Sequence, residues 1–202
     1  VKPWTGSSRF DSRSGLDNGV FPAQGRACPA ACAEQAPWVF PVLIGFGGNL
    51  GDSEAICRDA VKRLSRWDGF RIAAVSSLYR TEPIGYTDQQ WFVNGVVLAE
   101  TTLPPQDLLA ALLDVERLFG RVRTVRWGPR PLDLDVIFYG NRVVDLDHLR
   151  IPHPRAHERR FVLEPAAEVC PDFVHPVLGL SVRDLLRRPN VQSQDVRRWK
   201  AL

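Results

Sequence analysis

Methionine is absent from the 202-residue chain, so Val1 is not an encoded start, and the chain is expected to be processed or to belong to something larger. Cysteine is scarce. Cys28, Cys32, Cys57 and Cys170 are too few and too scattered for a disulfide framework in a chain of this length. Cys28 and Cys32 make a CxxxC, but no second Cys or His pair follows at zinc spacing, which argues against a zinc site. No apolar run approaches the ~18 residues of a membrane span, and the N-terminus has no apolar signal segment. A cytoplasmic protein without a membrane partner is therefore expected. A large excess of either charge is missing too. With 26 Lys+Arg against 23 Asp+Glu the net charge is +3, so any affinity for anions must come from local clustering rather than from the whole-molecule field. Neither a GxxxxGK[ST] loop nor a dinucleotide GxGxxG in the right frame is found.

What is present reads as an ordinary globular domain, 45% hydrophobic and 24% charged. Residues 1–36 are rich in Ser, Gly, Pro, Ala and Asp and show no period, which predicts a flexible leader or linker ahead of a domain at 37–202. The apolar run Trp38–Ile44 predicts a strand entering the turn Gly45-Phe46-Gly47-Gly48-Asn49-Leu50-Gly51-Asp52. That turn reads better as a close backbone approach than as a phosphate cradle. Asp52 or Ser53 caps a predicted helix running to about Trp67, which Gly69 stops. Phe70–Tyr79 predicts a second strand. Phe92–Glu100 predicts a third, with Phe92, Asn94, Val96 and Leu98 on one face and Val93, Gly95, Val97 and Ala99 on the other. Asn94 is unusual in a strand, and is either a satisfied structural amide or a group that reads a ligand's edge. Pro104 and Pro105 open a second helix whose stripe is Leu108, Leu109, Leu112, Val115 and Phe119, ended by Gly120. With a further strand at 132–139, the order is strand, helix, strand, strand, helix, strand. This order predicts an α+β, ferredoxin-like (split βαβ) antiparallel sheet with both helices on one face. Residues 162–180 read as loop and short helix, and Val182, Leu185 and Leu186 as a last amphipathic turn.

Arg121–Gly140, RVRTVRWGPRPLDLDVIFYG, carries the most chemistry. Arg121, Arg123, Arg126 and Arg130 surround Trp127 in a loop-like half. In the strand half, Leu132, Leu134, Val136 and Phe138 alternate onto one face, which puts Asp133 and Asp135 on the other, roughly 7 Å apart. Two carboxylates there repel, and a hard divalent cation with oxygen ligands suits the gap between them. Mg²⁺ commonly completes its shell with water and phosphate oxygens, which makes the neighbouring arginines intelligible. Either half alone has a bland reading, as a solvated face or a generic anion patch. Further on, His153 sits between two prolines in a second basic stretch, Arg150–Phe161. It could cap local backbone or donate to a phosphate.

Four segments together resemble the 6-hydroxymethyl-7,8-dihydropterin pyrophosphokinases of folate biosynthesis: GFGGNLGD (45–52), SSLYRTEPIGYTDQQWFVNGVV (76–97), ERLFGRVRTVRWGPRPLDLDVIFYG (116–140) and IPHPRAHERRFVLEP (151–165). The resemblance implies a ferredoxin-like fold and transfer of pyrophosphate from ATP to the pterin's hydroxymethyl oxygen, leaving AMP. It also implies two Mg²⁺ ions on Asp133 and Asp135, and mobile-loop arginines Arg121 and Arg130 that clamp the transferring group. Glu116, Arg123, Arg126, Trp127, His153 and Arg159 match positions around ATP. Thr81, Pro83 and Ile84 would line the pterin pocket, Phe92 and Phe161 would stack on its ring, and Asn94 would pair with its edge. The partners implied are ATP and the dihydropterin, not nucleic acid, with fusion or association to another folate enzyme through the leader. The chain departs from the family pattern at Gly48 in the first turn, in an Arg123–Arg126 spacing one residue shorter, at Leu113 and at Pro154. Two other readings are an RNA-binding ferredoxin-like module, which has no use for Asp133 and Asp135, and an inactive homologue, which would be expected to have lost an aspartate or Arg130.

Overall fold

A computed structural model describes residues 39–83, 88–121 and 128–202. The leader at 1–36, Ile84, Arg123, Arg126 and Trp127 lie outside the described residues. The chain forms β1 (Phe40–Gly48), α1 (Ser53–Leu64), β2 (Phe70–Val75), β3 (Leu78–Thr81), β4 (Phe92–Thr101), α2 (Pro105–Leu118) and β5 (Asp133–Tyr139). A small hairpin of β6 (Val144–Leu146) and β7 (Leu149–Ile151) follows. After a single 3-10 turn at Ala156–Glu158 come α3 (Arg160–Val169), α4 (Val182–Leu186), α5 (Pro189–Gln192) and β8 (Val196–Lys200).

The main sheet is antiparallel, ordered β5-β1-β4-β3-β8, with β2 pairing β4 beside β3. Counting β2 and β3 as one interrupted strand gives the ferredoxin-like arrangement, with β8 as an added edge. The predicted single strand over 70–79 is broken at Ser76 and Ser77. Ser76 Oγ accepts the Val96 N–H at 2.9 Å and donates to the Ser77 carbonyl at 2.8 Å. The Ser76 hydroxyl thus takes the Val96 N–H from the regular ladder, while the Ser76 N–H still donates to the Val96 carbonyl at 3.0 Å.

Two apolar cores lie on the two faces of the sheet. Cys57, Ala60, Val61 and Leu64 of α1 and Leu108, Leu112 and Val115 of α2 pack with Val42, Ile44, Val97, Leu134 and Val136. The opposite face is covered only in part, by Val162, Leu163 and Ala166 of α3, Val182 and Leu185 of α4, and Val191 of α5, against Leu43, Val96, Ile137 and Phe138. This second layer contains the short helix expected within 162–180, which starts earlier, at Arg160. Pro165 inside α3 disguises its extent in sequence, yet burial of Val162, Leu163, Pro165 and Ala166 holds it. The uncovered part of that face is where the cleft opens.

Strand β5 departs from simple alternation. The pairing of β1 with β5 slips between Leu43 and Ile44, which face Phe138 and Val136. The extra residue sends Ile137 and Phe138 together into the second core while Tyr139 returns to the first. Phe138 therefore does not share a face with Leu134 and Val136 as its spacing suggested. The slip falls after the aspartates, so Leu134 and Val136 remain opposite Asp133 and Asp135. No helix among the described residues is long and apolar enough to cross a membrane.

Candidate active site

A cleft of about 150 Å³ is lined by Gly45, Phe46 and Gly47 of β1, Thr81 and Glu82 at the end of β3, Phe92, Asn94 and Gly95 of β4, and Arg130, Asp133 and Asp135. Arg155, Arg159 and Phe161, from the start of the second helical layer, close it. Its floor is the middle of the sheet. Gly45 lies opposite Asp135 and Gly47 opposite Asp133 on one side of β1, and Gly47 lies opposite Asn94 on the other.

The glycines matter because a ligand must approach the sheet between these groups. A Cβ on Gly47 would fall 2.1 Å from Asn94 Oδ1 and 2.9 Å from the Val93 carbonyl, whereas one on Gly45 would meet the flexible Ile137 Cδ1 at 3.3 Å. Gly47→Ala is expected to destabilise the fold by about 1–3 kcal/mol and to turn Asn94 out of place. Gly45→Ala should cost less than about 1 kcal/mol. Thermal melts of the two variants check the ranking, and equal costs would show that the Asn94 contact is not the cause. Gly48 is tighter still, since its Cβ would lie 2.1 Å from the Pro131 carbonyl. The Gly-rich turn is thus a close backbone approach.

That approach is locked by Asn49, which is 2% exposed. Its Oδ1 accepts the Arg130 N–H at 3.0 Å, its own N–H donates to the Arg130 carbonyl at 2.9 Å, and its Nδ2 donates to Gln89 Oε1 and the Gln90 carbonyl at 2.9 and 3.1 Å. The end of β1 is thereby joined to the backbone of Arg130 and to the segment before Phe92. Sequence reading gave Asn49 no role, although a buried amide directly after two glycines could have flagged one.

Asp133 and Asp135 both reach the cleft, in different electrostatic settings. Asp133 pairs with Arg130 at 2.8 Å and also with Arg121. No ion pair reaches Asp135 among the described residues. Burial, then the charge of Asp133, pushes the Asp135 carboxyl up to about 7, against the pull of Arg159. Arg121 stands behind Asp133 rather than on the cleft wall. It also pairs with Glu116, which is 2% exposed and accepts the Leu134 N–H at 2.7 Å. Glu116 and Arg121 thus tie the last turn of α2 to the strand that carries the aspartates.

Arg130 and Arg159 each lie over an aromatic wall of the cleft, 5.1 Å from the Phe92 ring centre and 5.4 Å from that of Phe161. Arg130 Nε is buried without a hydrogen-bond partner among the described residues, as a donor awaiting an anion would be. Asn94 Nδ2 donates to Thr81 Oγ1 at 2.7 Å, and both line the cleft. His153 is not on the wall. Its Nδ1 accepts the Arg155 N–H at 3.2 Å, and burial with the charges of Arg159 and Arg155 lowers its imidazole to about 4, so it is neutral at pH 7. Pro83 also lies off the wall. Phe46, Glu82, Gly95 and Arg155 are cleft residues that sequence reading had not singled out; Arg155 could have been found from its place in the same basic stretch as Arg159.

The Asp133–Asp135 pair, three arginines and an aromatic slot in one cleft form a site for a flat ring next to a polyphosphate. The fold and this site define a ferredoxin-like enzyme of phosphoryl transfer. The family model described as 7,8-dihydro-6-hydroxymethylpterin-pyrophosphokinase matches residues 43–171. The chain belongs to that family. A 2-amino-4-hydroxy-6-hydroxymethyldihydropteridine pyrophosphokinase of Methylorubrum extorquens is 44% identical over 145 residues, 72% of this chain and 90% of that protein. One of the same description from Bacillus subtilis is 43% identical over 127 residues, 63% of this chain and 76% of that protein. The folic acid synthesis protein fol1 of Pneumocystis carinii is 41% identical over 141 residues, covering 70% of this chain but 19% of that one. In fold the chain is similar to the crystal structure of Plasmodium falciparum HPPK-DHPS with pterin and p-hydroxybenzoate. The TM-score is 0.59 at 14% identity, over 75% of this chain and 42% of that one.

Proposed function

We propose that this chain transfers pyrophosphate from ATP to the hydroxymethyl oxygen of 6-hydroxymethyl-7,8-dihydropterin, with AMP as the second product, in cytoplasmic folate biosynthesis. The observation that carries this reading is the adjacency, in one cleft, of the acid pair and arginines to an aromatic slot edged by Asn94 and Thr81. In the transfer, the substrate oxygen forms a bond to the β-phosphorus as the bond from that phosphorus to the AMP oxygen breaks. The nucleophile belongs to the substrate, so the protein contributes alignment and charge.

Phe92 and Phe161 stack on the pterin ring, and Asn94, set by Thr81, reads its amino and oxo edge. Arg130, Arg159 and Arg155 face the phosphates, and neutral His153 holds the backbone of Arg155. Arg121 and Glu116 act from behind, orienting Asp133. Arg123, Arg126 and Trp127 are assigned to the nucleotide, and Ile84 to the pterin, on the family resemblance alone.

Among the described residues no group of three or more His, Cys, Asp or Glu could hold a metal ion. Mg²⁺ does not require one, because it is commonly held by one or two carboxylates plus substrate phosphates. Asp133 and Asp135 on one strand, with glycines opposite and Asp135 lacking an ion pair, fit that donor set. Mg²⁺ held by them would neutralise the charge of the polyphosphate. Residues 1–36 are proposed as a flexible leader or linker ahead of the catalytic domain at 37–202, consistent with this chain's covering only 19% of the Pneumocystis carinii relative.

Incubation with Mg-ATP and the hydroxymethyl dihydropterin should yield AMP and pterin diphosphate in equal amounts, and EDTA should abolish both. RNA binding that persists in EDTA, without AMP, would sink the enzyme reading.

A further inference from the structure

The 31 residues that follow the matched family segment, which ends at 171, touch both walls of the cleft without entering it. β8 pairs with β3, placing Val196 opposite Thr81, and Arg197 lies 5.0 Å over the ring of Trp91, next to Phe92. Between α5 and β8, Gln194 meets the other wall. Helix α3 starts at Arg160 and has no side-chain cap of its own, because its N-cap residue is Arg159. The first N–H groups of a helix have no partner within it. Here Gln194 Oε1 accepts the Arg160 N–H at 2.9 Å, and Gln194 Nε2 donates to the carbonyls of Glu158 at 2.7 Å and Asn190 at 3.2 Å. The Arg160 guanidinium returns the contact, donating from Nη1 to the carbonyls of Gln192 and Gln194, each at 3.1 Å.

The segment so fastened is Glu158–Phe161, which carries Arg159 and Phe161 into the cleft. We propose that Gln194 is a positioning residue for substrate binding: it caps α3 from a distant part of the chain and so fixes where Phe161 and Arg159 stand. The inference rests on the pterin-pocket reading above. Phe161 works only if its ring lies parallel to the slot, and its direction is set by the first turn of α3. A first turn with an unpaired N–H frays, which swings the following side chains while the rest of the helix, buried against the second core, stays in place.

The test measures dihydropterin binding, kcat and thermal melting of the full chain carrying Gln194→Ala, Gln194→Glu or Phe161→Ala. Gln194→Ala is expected to weaken pterin binding about tenfold, with kcat at saturation within about threefold of the unmodified chain. Gln194→Glu keeps the acceptor facing Arg160 but turns a second acceptor toward the Glu158 and Asn190 carbonyls, so it should bind more tightly than Gln194→Ala, within about fivefold of the unmodified chain. Unchanged binding in Gln194→Ala, or Gln194→Glu as weak as Gln194→Ala, overturns the proposal. So does a fall in kcat that simply tracks a lower melting temperature. If Gln194→Ala does not fold, the behaviour of Gln194→Glu alone decides. Phe161→Ala separates the two levels: impaired binding there beside normal binding in Gln194→Ala defeats the positioning role alone. Normal binding in Phe161→Ala defeats the pocket assignment and this inference with it.

Discussion

Replacing Asp135 by asparagine is expected to lower pyrophosphoryl transfer about a thousandfold and, without metal or nucleotide, to raise the melting temperature at pH 8. The two effects share one cause. The Asp135 carboxyl is placed where burial and the neighbouring charge of Asp133 oppose its ionisation, and its value is pushed up to about 7 from an ordinary 3.8. Because the folded value lies above the unfolded one, the ionised group costs stability. The cost is absent below about pH 4, grows as the pH rises toward 7, and is complete above it. An asparagine of the same shape carries no such cost. In EDTA at pH 8 the variant should therefore gain about 1–3 kcal/mol, roughly 3–8 °C for a domain of this size, and the gain should vanish near pH 4. Loss of a carboxylate that would hold the Mg²⁺ neutralising the phosphate charge accounts for the activity, since a thousandfold corresponds to about 4 kcal/mol. Scanning calorimetry in EDTA at pH 4 and pH 8, beside an AMP assay, checks both halves. An asparagine variant that is inactive and also less stable at pH 8 would mean that Asp135 is a structural group.

Arg130→Ala should lower kcat by about 10²–10³ while changing the dissociation constant for ATP by less than about fivefold. The backbone of Arg130 is fixed by Asn49 on both its N–H and its carbonyl. Its guanidinium is held less completely, by Asp133 at 2.8 Å and by the Gly128 carbonyl at 3.3 Å, with Nε buried and unmatched among the described residues. A donor left over in a buried setting is expensive unless a later partner takes it. On the proposed reading that partner would be the transferring phosphoryl group, whose charge spreads over its outer oxygens in the transition state. ATP would on the same reading be held by several other cations, so losing this one should appear mainly in turnover. Arg130→Lys should recover little, because a single ammonium cannot reproduce the planar fork. Steady-state kinetics with equilibrium binding of ATP separate the terms, and equal losses in both would count against a role confined to the transition state.

The acid pair could be read from local pattern because Leu134 and Val136 are anchored in the first core, and a strand leaves its intervening residues no other face. The face assignment of Asn94 with Val96 was legible for the same reason. The order of elements up to β5 came from caps, glycine stops and periodicity, all of which act within a few residues. Alternation failed after Val136, where the bulge inserts one residue and turns Ile137 and Phe138 toward the second core. Nothing in DLDVIFY marks that slip; it depends on how β1 fits against β5.

The sequence by itself determined the ferredoxin-like order of strands and helices and the paired carboxylates on a strand flanked by arginines. Those properties follow from residue type and short-range spacing. Tertiary structure alone decided which arginines face the cleft and which, like Arg121, stand behind an aspartate. It alone converted Gly45 and Gly47 into a floor, raised α3 around a proline, and brought Gln194 to cap a helix 34 positions earlier in the chain. Such contacts join segments far apart in sequence, and their energy comes from burial and hydrogen bonds that exist only once the sheet has brought those segments together.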